Sequence, residues 1–284
     1  MFVTVSKKVK IVYCLLFYFL SSSSYIILLN VDILFLLFSG SIDSNGNLVD
    51  VDVNALGPDY PTTSHDVALH IACERGFVEC VQLLLDSGSD VNLINPISKM
   101  YSLFYACKAF SQQHCDIIKL LGQYNVQEMV DNNGLTPLCV ACSHGGVDPN
   151  REKIVRALID IGQKINPLNT RDGMTPLLKA CSGGGVNTNG GNGGGSGGSG
   201  DGMLSVVRLL LSNGANVNAC LKTSRSTALH LAAGKGLSEI CLLLLEKGGD
   251  KKLVDLGGRR AAEVARRNNC VRVAVMIEGY DGGG

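Results

Sequence analysis

The chain has 284 residues and a formal net charge of zero, with 25 lysine and arginine residues against 25 aspartate and glutamate residues. This balance excludes nucleic-acid binding driven by a strong overall positive field. Apolar residues make up 46% of the chain and charged residues only 18%, which excludes disorder over the whole length. Tryptophan is absent and aromatic residues are 6%, a composition too poor in large rings for a β-sandwich. We therefore expect a folded, mostly helical chain.

Residues 1–40 form an apolar N-terminal segment that differs from the rest of the chain. Three lysines precede an apolar run at 11–20, four serines follow, and a second apolar run that contains Asn30 and Asp32 extends to residue 38. Three interpretations remain open: a membrane anchor at 11–38, a signal-like leader, or a gene-model artefact. Residues 41–62 are expected to be a linker or N-terminal cap.

A seven-residue pattern with leucine or alanine at its third position recurs along the remainder of the chain. The copies lie at 67–73, 101–107, 136–142, 175–181, 227–233 and 260–266. Their third positions follow one another by 34, 35, 39, 52 and 33 residues. A repeat unit of about 33 residues with insertions explains these steps.

Each repeat unit has the pattern of a helical hairpin. Thr136 and Thr175 precede prolines, an arrangement typical of a helix that begins with a threonine cap. A second apolar helix follows in most units, and a residue suited to a left-handed helix end comes directly after it. The predicted left-handed residues are Gly88, Asn125, Gly214, Gly248 and Asn269.

The chain resembles the ankyrin repeat family in several motifs that recur in phase. These are Asp-Asn-Asn-Gly-Leu-Thr-Pro-Leu at 131–138, Gly-Met-Thr-Pro-Leu at 173–177, Ala-Leu-His-Leu-Ala-Ala at 228–233, and leucine-rich endings followed by Gly and Val-Asn. The resemblance implies an all-α repeat solenoid, with helix–turn–helix units stacked on one another and short β-hairpin tips. It covers residues 63–277 in about six units, of which the last is a polar terminal cap, and leaves 278–284 as a flexible tail.

Two insertions interrupt the repeats between their first and second helices. The longer one, at 183–202, is a low-complexity stretch of glycine, serine and asparagine, which we expect to be a disordered loop. It lacks the Gly-Lys-Ser/Thr ending of a phosphate-binding loop. A shorter insertion lies at 144–151.

Cysteines often take part in catalysis or metal binding, but the positions of several cysteines in this chain follow from the repeat pattern. Cys73, Cys107, Cys142 and Cys181 occupy one repeat position and are expected to fill small apolar sites as reduced thiols. Reduced thiols favour a cytoplasmic or nuclear location. Cys139 and Cys142 lack the second ligand pair that a structural zinc site needs. No catalytic residue, metal or cofactor is therefore predicted, and the chain is not expected to be an enzyme or to bind a small-molecule substrate.

Three further features follow from the resemblance or from local charge. His70 and His230 occupy the histidine position that, in the family, ties neighbouring turns by hydrogen bonds. Asn92 and Asn218 resemble ankyrin sites of asparaginyl hydroxylation, although a structural turn asparagine is the preferred interpretation. The last unit is rich in arginine and lysine, which we interpret as a solvated end face, so nucleic acid is not the expected partner.

The resemblance implies that turn tips and the outward side of the first helices bind a protein partner on the concave face. The corresponding positions in this chain are Asn132, Asn133, Leu135, Val140, Arg171, Asp172, Met174, Lys179, Thr223, Ser224, Ser226 and Lys235. Exposed Leu135, Val140 and Met174 beside two cations would form an apolar strip with a basic edge.

The expected function is that of a protein–protein interaction adaptor or scaffold in the cytoplasm. Two alternatives are a membrane-tethered ankyrin protein, anchored by 11–38, and a ubiquitin-ligase substrate receptor. The second would need an adaptor-binding box, and only seven residues follow Ile277.

Overall fold

The computed structural model describes residues 41–42, 48–49, 67–143, 150–167, 170–183 and 201–281. The chain divides into two compact units, Met1–Gln127 and Glu128–Gly284. The apolar segment 1–40 and most of the predicted linker 41–62 lie outside the described residues. Among the described helices, none has the length and apolar character needed to cross a membrane.

The first unit contains a small strand pair and two stacked helical hairpins. Strands β1 (Ser41–Ile42) and β2 (Leu48–Val49) pair antiparallel. The hairpins consist of α1 (Ala68–Arg75) with α2 (Val78–Asp86), and α3 (Ser102–Ala106) with α4 (Gln112–Leu121). The first helices α1 and α3 contact each other, and so do the second helices α2 and α4.

The second unit contains four hairpins with the same arrangement of first and second helices. In chain order the helices are α5 (Pro137–Ala141), α6 (Arg151–Asp160), α7 (Pro176–Gly183), α8 (Asp201–Ser212), α9 (Ala228–Gly234), α10 (Ser238–Glu246), α11 (Ala261–Arg267) and α12 (Val271–Glu278). A short 3-10 turn, Arg171–Gly173, precedes α7. The first helices α5, α7, α9 and α11 contact one another in succession, as do the second helices α6, α8, α10 and α12. Each unit thus has two helical layers.

The third position of every repeat copy is buried, which confirms the predicted register. Five of these residues are leucines with at most 2% exposure, and the sixth, Ala262, is 5% exposed. The alanines that follow in the first helices are also buried, so each hairpin places its apolar side against its neighbours. The all-α repeat architecture is confirmed. The second repeat is packed as well, although Tyr101 and Ser102 replace the usual Thr-Pro, and both are fully buried.

The helix ends follow the predicted sequence signals. The Thr136 hydroxyl accepts the Cys139 backbone N–H at 3.2 Å, and the Thr175 hydroxyl accepts that of Leu178 at 3.2 Å. All five predicted left-handed residues have positive φ, from 49° at Asn125 to 89° at Gly88. Gly162, with φ of 89°, follows the second helix of the third repeat in the same way.

Three details differ from the sequence-based expectations. Gly183 belongs to α7, and Asp201 and Gly202 belong to α8, so both ends of the predicted loop 183–202 are helical; 184–200 lie outside the described residues. Arg151, assigned to the shorter insertion, begins α6. The β-hairpin tips are reduced, among the described residues, to the single antiparallel bridges Cys220–Thr227 and Val254–Arg260.

Candidate protein-binding surface

The turns before the first helices of the third and last repeats are closed by hydrogen bonds within the turn. At the third repeat, Asp131 Oδ1 accepts the backbone N–H groups of Asn133 and Leu135 at 2.9 and 2.8 Å. The Asp131 N–H in turn donates to the Leu135 carbonyl at 2.9 Å. Asp255 forms the equivalent turn in the last repeat and accepts the Arg259 N–H at 2.9 Å. An inward aspartate therefore fixes the shape of these two turns.

Adjacent turns of the second unit are joined by main-chain hydrogen bonds, which we call the tip ladder. The Arg171 N–H donates to the Gly134 carbonyl at 3.1 Å, and the Lys222 N–H donates to the Asp172 carbonyl at 2.9 Å. The Leu256 N–H donates to the Ser224 carbonyl at 2.8 Å. Four successive tips are thereby linked through their backbones. We call the surface formed by 132–135, 171–174, 222–226 and 256–259 the tip face.

The close approach of the first two tips requires glycine at position 134. Gly134 has φ of 71°, and a Cβ atom placed on it would lie 2.3 Å from Arg171 Cβ and 2.7 Å from Arg171 N. Only a residue without Cβ allows the Arg171 N–H to reach the Gly134 carbonyl in this conformation. The glycine of the Asp-Asn-Asn-Gly turn thus has a packing role across the repeat boundary.

The predicted binding residues lie on the tips and first helices of the second unit, but their exposure differs from expectation. Asn132, Asn133, Arg171, Thr223 and Lys235 are exposed. The remaining seven are half-buried: Leu135, Val140, Asp172, Met174, Lys179, Ser224 and Ser226.

Leu135, Val140 and Met174 were expected to be exposed, and the structure shows all three half-buried. Their role in an apolar binding strip stays a prediction.

The side chains of three predicted residues, Asp172, Thr223 and Lys235, bind across a repeat boundary within the chain. The Asp172 carboxylate accepts the Thr223 backbone N–H and hydroxyl, both at 2.7 Å. These bonds tie the tip of the fourth repeat to that of the fifth. The Lys235 ammonium donates to the Ser182 carbonyl. Asp172, Thr223 and Lys235 thus stabilise the surface on which other side chains are displayed.

Sequence reasoning missed three prominent side chains of the tip face: Lys222, Arg225 and Leu256. Lys222 and Arg225 are exposed, and Leu256 is 71% exposed, the largest value among the exposed large apolar side chains of the described residues. The repeat register could have found them, since each lies within a turn that the pattern identifies. The binding residues predicted from the sequence include small polar residues of the fifth tip and none of the last tip.

The histidines of the first helices connect the helices to neighbouring turns. The ring Nε2–H of His230 donates to the Arg259 carbonyl at 3.0 Å, and its Nδ1 accepts the Thr227 hydroxyl at 2.8 Å. Burial lowers the pKa of His230, although several neighbours oppose the shift. In the first unit, His70 Nε2 donates to the Leu93 carbonyl at 2.9 Å and its ring stacks on Tyr105. Both histidines have the structural role that the resemblance implied.

The thiols at the common cysteine position lie in the core. Cys73, Cys107, Cys142 and Cys181 are fully buried. Burial raises the pKa of Cys73, Cys107 and Cys181, so these side chains are poor nucleophiles and act as small packing groups. Among the described residues, no group of histidine, cysteine and carboxylate side chains is arranged to hold a metal ion.

Asparagine side chains join successive repeats at the loops after the second helices; we call these contacts the asparagine clamps. Asn218 Nδ2 donates to the Gly248 carbonyl at 3.1 Å, and its Oδ1 accepts the Asp250 N–H at 2.9 Å. Asn92 makes the same pair of bonds with the Asn125 carbonyl and the Gln127 N–H, at 3.2 and 2.8 Å. The structural interpretation of these two asparagines is shown by these contacts, whereas their hydroxylation stays a prediction.

A third clamp, at Asn166, was not identified from the sequence. Its Nδ2 donates to the Gly214 carbonyl at 2.8 Å, and its Oδ1 accepts the Asn216 N–H at 2.9 Å. Asn166 follows the left-handed Gly162 by four residues, as Asn92 follows Gly88 and Asn218 follows Gly214. That spacing is the signal that would have identified it.

Comparison with known families gives the same assignment as the stacked hairpins. A model of ankyrin repeats in tandem matches residues 32–128, 69–169 and 199–280, and a single ankyrin repeat model matches 172–222. Together these matches cover most of the chain. The chain belongs to the ankyrin repeat family.

Curated ankyrin proteins show similarity over shorter parts of their own lengths. The B-cell lymphoma 3 protein homolog of Mus musculus is 27% identical over 206 residues, which is 72% of this chain and 34% of that protein. The probable E3 ubiquitin-protein ligase XBOS34 of Oryza sativa subsp. japonica is 40% identical over 78 residues, 27% of this chain and 15% of that protein. The ankyrin repeat and KH domain-containing protein mask-1 of Caenorhabditis elegans is 39% identical over 74 residues, 26% of this chain and 3% of that protein. The chain thus spans about a third of the first relative and much less of the others.

Ankyrin repeats are protein–protein interaction modules, and this membership gives the chain its general role. The tip face is the part of the second unit where outward side chains are presented on a backbone joined from repeat to repeat. In an ankyrin protein, this arrangement suits the recognition of a protein surface.

Proposed function

We propose that this ankyrin protein is a reversible adaptor or scaffold that binds a partner protein on the tip face and on the adjoining first helices of the second unit. The observation that carries the proposal is the tip ladder, because it joins neighbouring tips through main-chain groups, with a side-chain contribution from the Asp172–Thr223 bonds. Side chains such as those of Arg171 and Lys222 are then left to contact a partner without being needed to hold the repeats together.

A rigid surface reduces the entropic cost of association. Because the tips are held in place before binding, few backbone and side-chain torsions have to be ordered when a partner arrives. The first helices α7 and α9 are each packed on both neighbouring first helices, and His230 links α9 to the next turn. These contacts support binding without large rearrangement of the second unit.

Binding, as opposed to catalysis, is supported by the state of the reactive side chains. The nitrogens of His230 are occupied by hydrogen bonds, and the buried thiols have raised pKa values. Neither group is placed to attack a substrate. The thiols also favour a reducing compartment, and we infer a cytoplasmic or nuclear location.

The test is affinity capture with the full chain, a tip variant and a matched control. The tip variant is Leu135→Ala with Arg171→Ala and Met174→Ala. The control variant is Leu211→Ala with Arg208→Ala and Leu242→Ala. It removes two leucines and one arginine from the second helices α8 and α10. Captured proteins are identified by mass spectrometry, and circular dichroism checks that each variant keeps its helices.

The proposal expects a set of proteins captured by the parent chain and by the control variant but lost with the tip variant. Equal capture by the parent and the tip variant would contradict a partner site on the tip face. Loss with the control variant alone would transfer the site to the second-helix layer.

The membrane-tethered alternative concerns residues 11–38, which lie outside the described residues, and it stays a prediction. Cell fractionation tests it independently of partner binding. Salt-resistant pelleting that disappears when residues 1–40 are deleted would favour a tether, whereas unchanged fractionation of the deletion variant would contradict it.

The ubiquitin-ligase alternative also stays a prediction. The rice relative carries that printed name, but the similarity covers 15% of its length. The contacts described above bear on binding alone, so the adaptor function is the one we propose.

A further inference from the structure

The tip face of the second unit has a consistent division of charge between inward and outward side chains. Its carboxylates are bound within the tips or between them: Asp131 holds its own turn, Asp172 binds Thr223, and Asp255 binds Arg259. The Asp255–Arg259 contact is an ion pair, with Oδ2 to Nη2 at 2.7 Å, and Asp255 is 5% exposed. The acidic groups of this surface are therefore engaged in holding it together.

Three other cations of the same tips have no such ion-pair partner among the described residues. Arg171, Lys222 and Arg225 are exposed, and none of the three forms an ion pair with any described residue. Lys179, half-buried on α7, likewise forms none, and it lies in the helix that follows the Arg171 tip. The exposed charged side chains of the tip face, Arg171, Lys222 and Arg225, are thus all basic.

The tip ladder places these cations on adjacent tips at defined positions. The Lys222 N–H binds the Asp172 carbonyl, one residue from Arg171, and the Leu256 N–H binds the Ser224 carbonyl, one residue from Arg225. The order along the surface is therefore Arg171, Lys222, Arg225 and Leu256. Three cations are followed by an apolar side chain that is 71% exposed.

We propose that the tip face binds an acidic segment of a partner protein, with carboxylates against Arg171, Lys222 and Arg225 and an apolar side chain against Leu256. This inference rests on the proposed function and specifies the chemistry of its partner. Opposite charges steer the two surfaces together and select against basic segments. Leu256 adds apolar area beside the cations, which an extended peptide with a hydrophobic residue next to its acidic ones would cover.

Single-stranded nucleic acid is also attracted by cations, but the tip face suits it less well. The tips at 131–136, 170–175, 220–227 and 254–260 contain no phenylalanine, tyrosine or tryptophan. Proteins that bind single strands stack bases on aromatic rings in addition to neutralising phosphates.

The experiment selects peptides from a random linear-peptide library displayed on phage, with the full chain as bait. Selected peptides are synthesised, and their affinity is measured for the parent chain and for the triple variant Arg171→Ala, Lys222→Ala and Arg225→Ala. The matched control Arg208→Ala with Lys247→Ala removes exposed cations from the second-helix layer. A single-stranded oligothymidine is measured in parallel.

We expect the selected peptides to be enriched in aspartate and glutamate next to leucine, isoleucine or phenylalanine. Their binding should weaken about tenfold or more in the triple variant, should change little in the control, and should weaken as salt concentration rises. Replacing the acidic residues of a selected peptide with their amides should have an effect as large as the triple variant.

Neutral or basic peptides that bind the parent and lose binding when Leu135 and Met174 are replaced would overturn this inference while leaving the proposed function intact. Peptides that bind the parent and every tip variant equally would count against both proposals. Binding of oligothymidine that is stronger than that of every selected peptide, and lost in the triple variant, would overturn the acidic-peptide inference in favour of a nucleic-acid surface.

Discussion

The second unit joins its repeats at two edges, and the two edges use different parts of the chain. At the tips, the ladder bonds run from main-chain N–H to main-chain carbonyl, as between Arg171 and Gly134. At the loops after the second helices, the bonds run through the asparagine clamps, with Asn166 and Asn218 each using both ends of the amide. Side-chain identity therefore matters for assembly mainly at the clamp edge.

This difference predicts that substitutions at the two edges have different effects on stability. A substitution of Arg171 or Lys222 by alanine leaves the ladder N–H in place, so the tips remain joined when either of these side chains is removed. A substitution at a clamp asparagine removes the contact itself. The tip edge is thus suited to recognition and the clamp edge to stability, and four predictions test this comparison.

The largest expected effect comes from adding a methyl group at Gly134, where an added Cβ would clash with the backbone of the next tip. Gly134→Ala places a Cβ atom 2.7 Å from Arg171 N in a residue with positive φ. We expect the free energy of unfolding to fall by about 2–4 kcal/mol, from left-handed strain together with the steric clash. Urea unfolding followed by circular dichroism measures it.

Gly162→Ala is the matched control, because Gly162 also has positive φ but no atom lies within 4 Å of an added Cβ. It should cost only the conformational strain, about 1–2 kcal/mol. Equal losses in the two variants would show that close approach of the tips does not contribute to stability.

The second prediction concerns the clamp edge. Asn218→Ala removes two hydrogen bonds, to the Gly248 carbonyl and from the Asp250 N–H. Because the site is exposed and water replaces part of the loss, we expect a decrease of about 1–2 kcal/mol in the free energy of unfolding. Lys252→Ala, at the corresponding position of the next repeat, should change it by less than about 0.5 kcal/mol. A loss for Lys252→Ala as large as for Asn218→Ala would remove the special role of the amide.

Much of the fold follows from the sequence because the repeat register makes many weak signals agree. Leu69, Leu138 and Leu229 are buried since equivalent positions in stacked hairpins face the same layer, and the left-handed Asn125 and Asn269 follow from the end of the second helix. Periodicity and turn chemistry are local properties, so one sequence is enough to read them.

The site was less predictable because it depends on contacts between repeats that are far apart in sequence. The Asp172–Thr223 bonds span 51 residues, and they bind two residues that had been assigned to a partner. The exposure of Leu256 depends on how the last tip meets Ser224, which no local pattern contains. The register identified which turns form the surface, but not which of their side chains remain outward.

The third prediction uses the histidine that links a first helix to the tip edge. The pKa of His230 is lowered by burial from its ordinary value of 6.5, against opposing contributions that include the Arg259 carbonyl and the Asp255 carboxylate. The unfolded chain then binds a proton at a higher pH than the folded chain does, so stability decreases as pH falls through about 6.5 and below.

Thermal unfolding of the parent chain and of His230→Gln across neutral to mildly acidic pH measures this contribution. The glutamine amide can donate to the Arg259 carbonyl and accept from Thr227, but it does not titrate. We expect the melting temperature of the parent to fall more steeply with decreasing pH than that of the variant. Parallel pH profiles would contradict a neutral His230 at the tip edge.

The smallest expected change in the free energy of unfolding comes from a variant that removes two exposed side chains of the tip face. Arg171→Ala with Lys222→Ala removes two exposed cations but keeps both ladder N–H groups, so the free energy of unfolding should change by less than about 0.5 kcal/mol per substitution. Urea unfolding measures it beside Gly134→Ala. A loss comparable to that of Gly134→Ala would mean that these side chains hold the repeats together, and the separation between a backbone that assembles and side chains that recognise would fail. An unchanged stability, combined with lost partner capture, is the outcome that this separation requires.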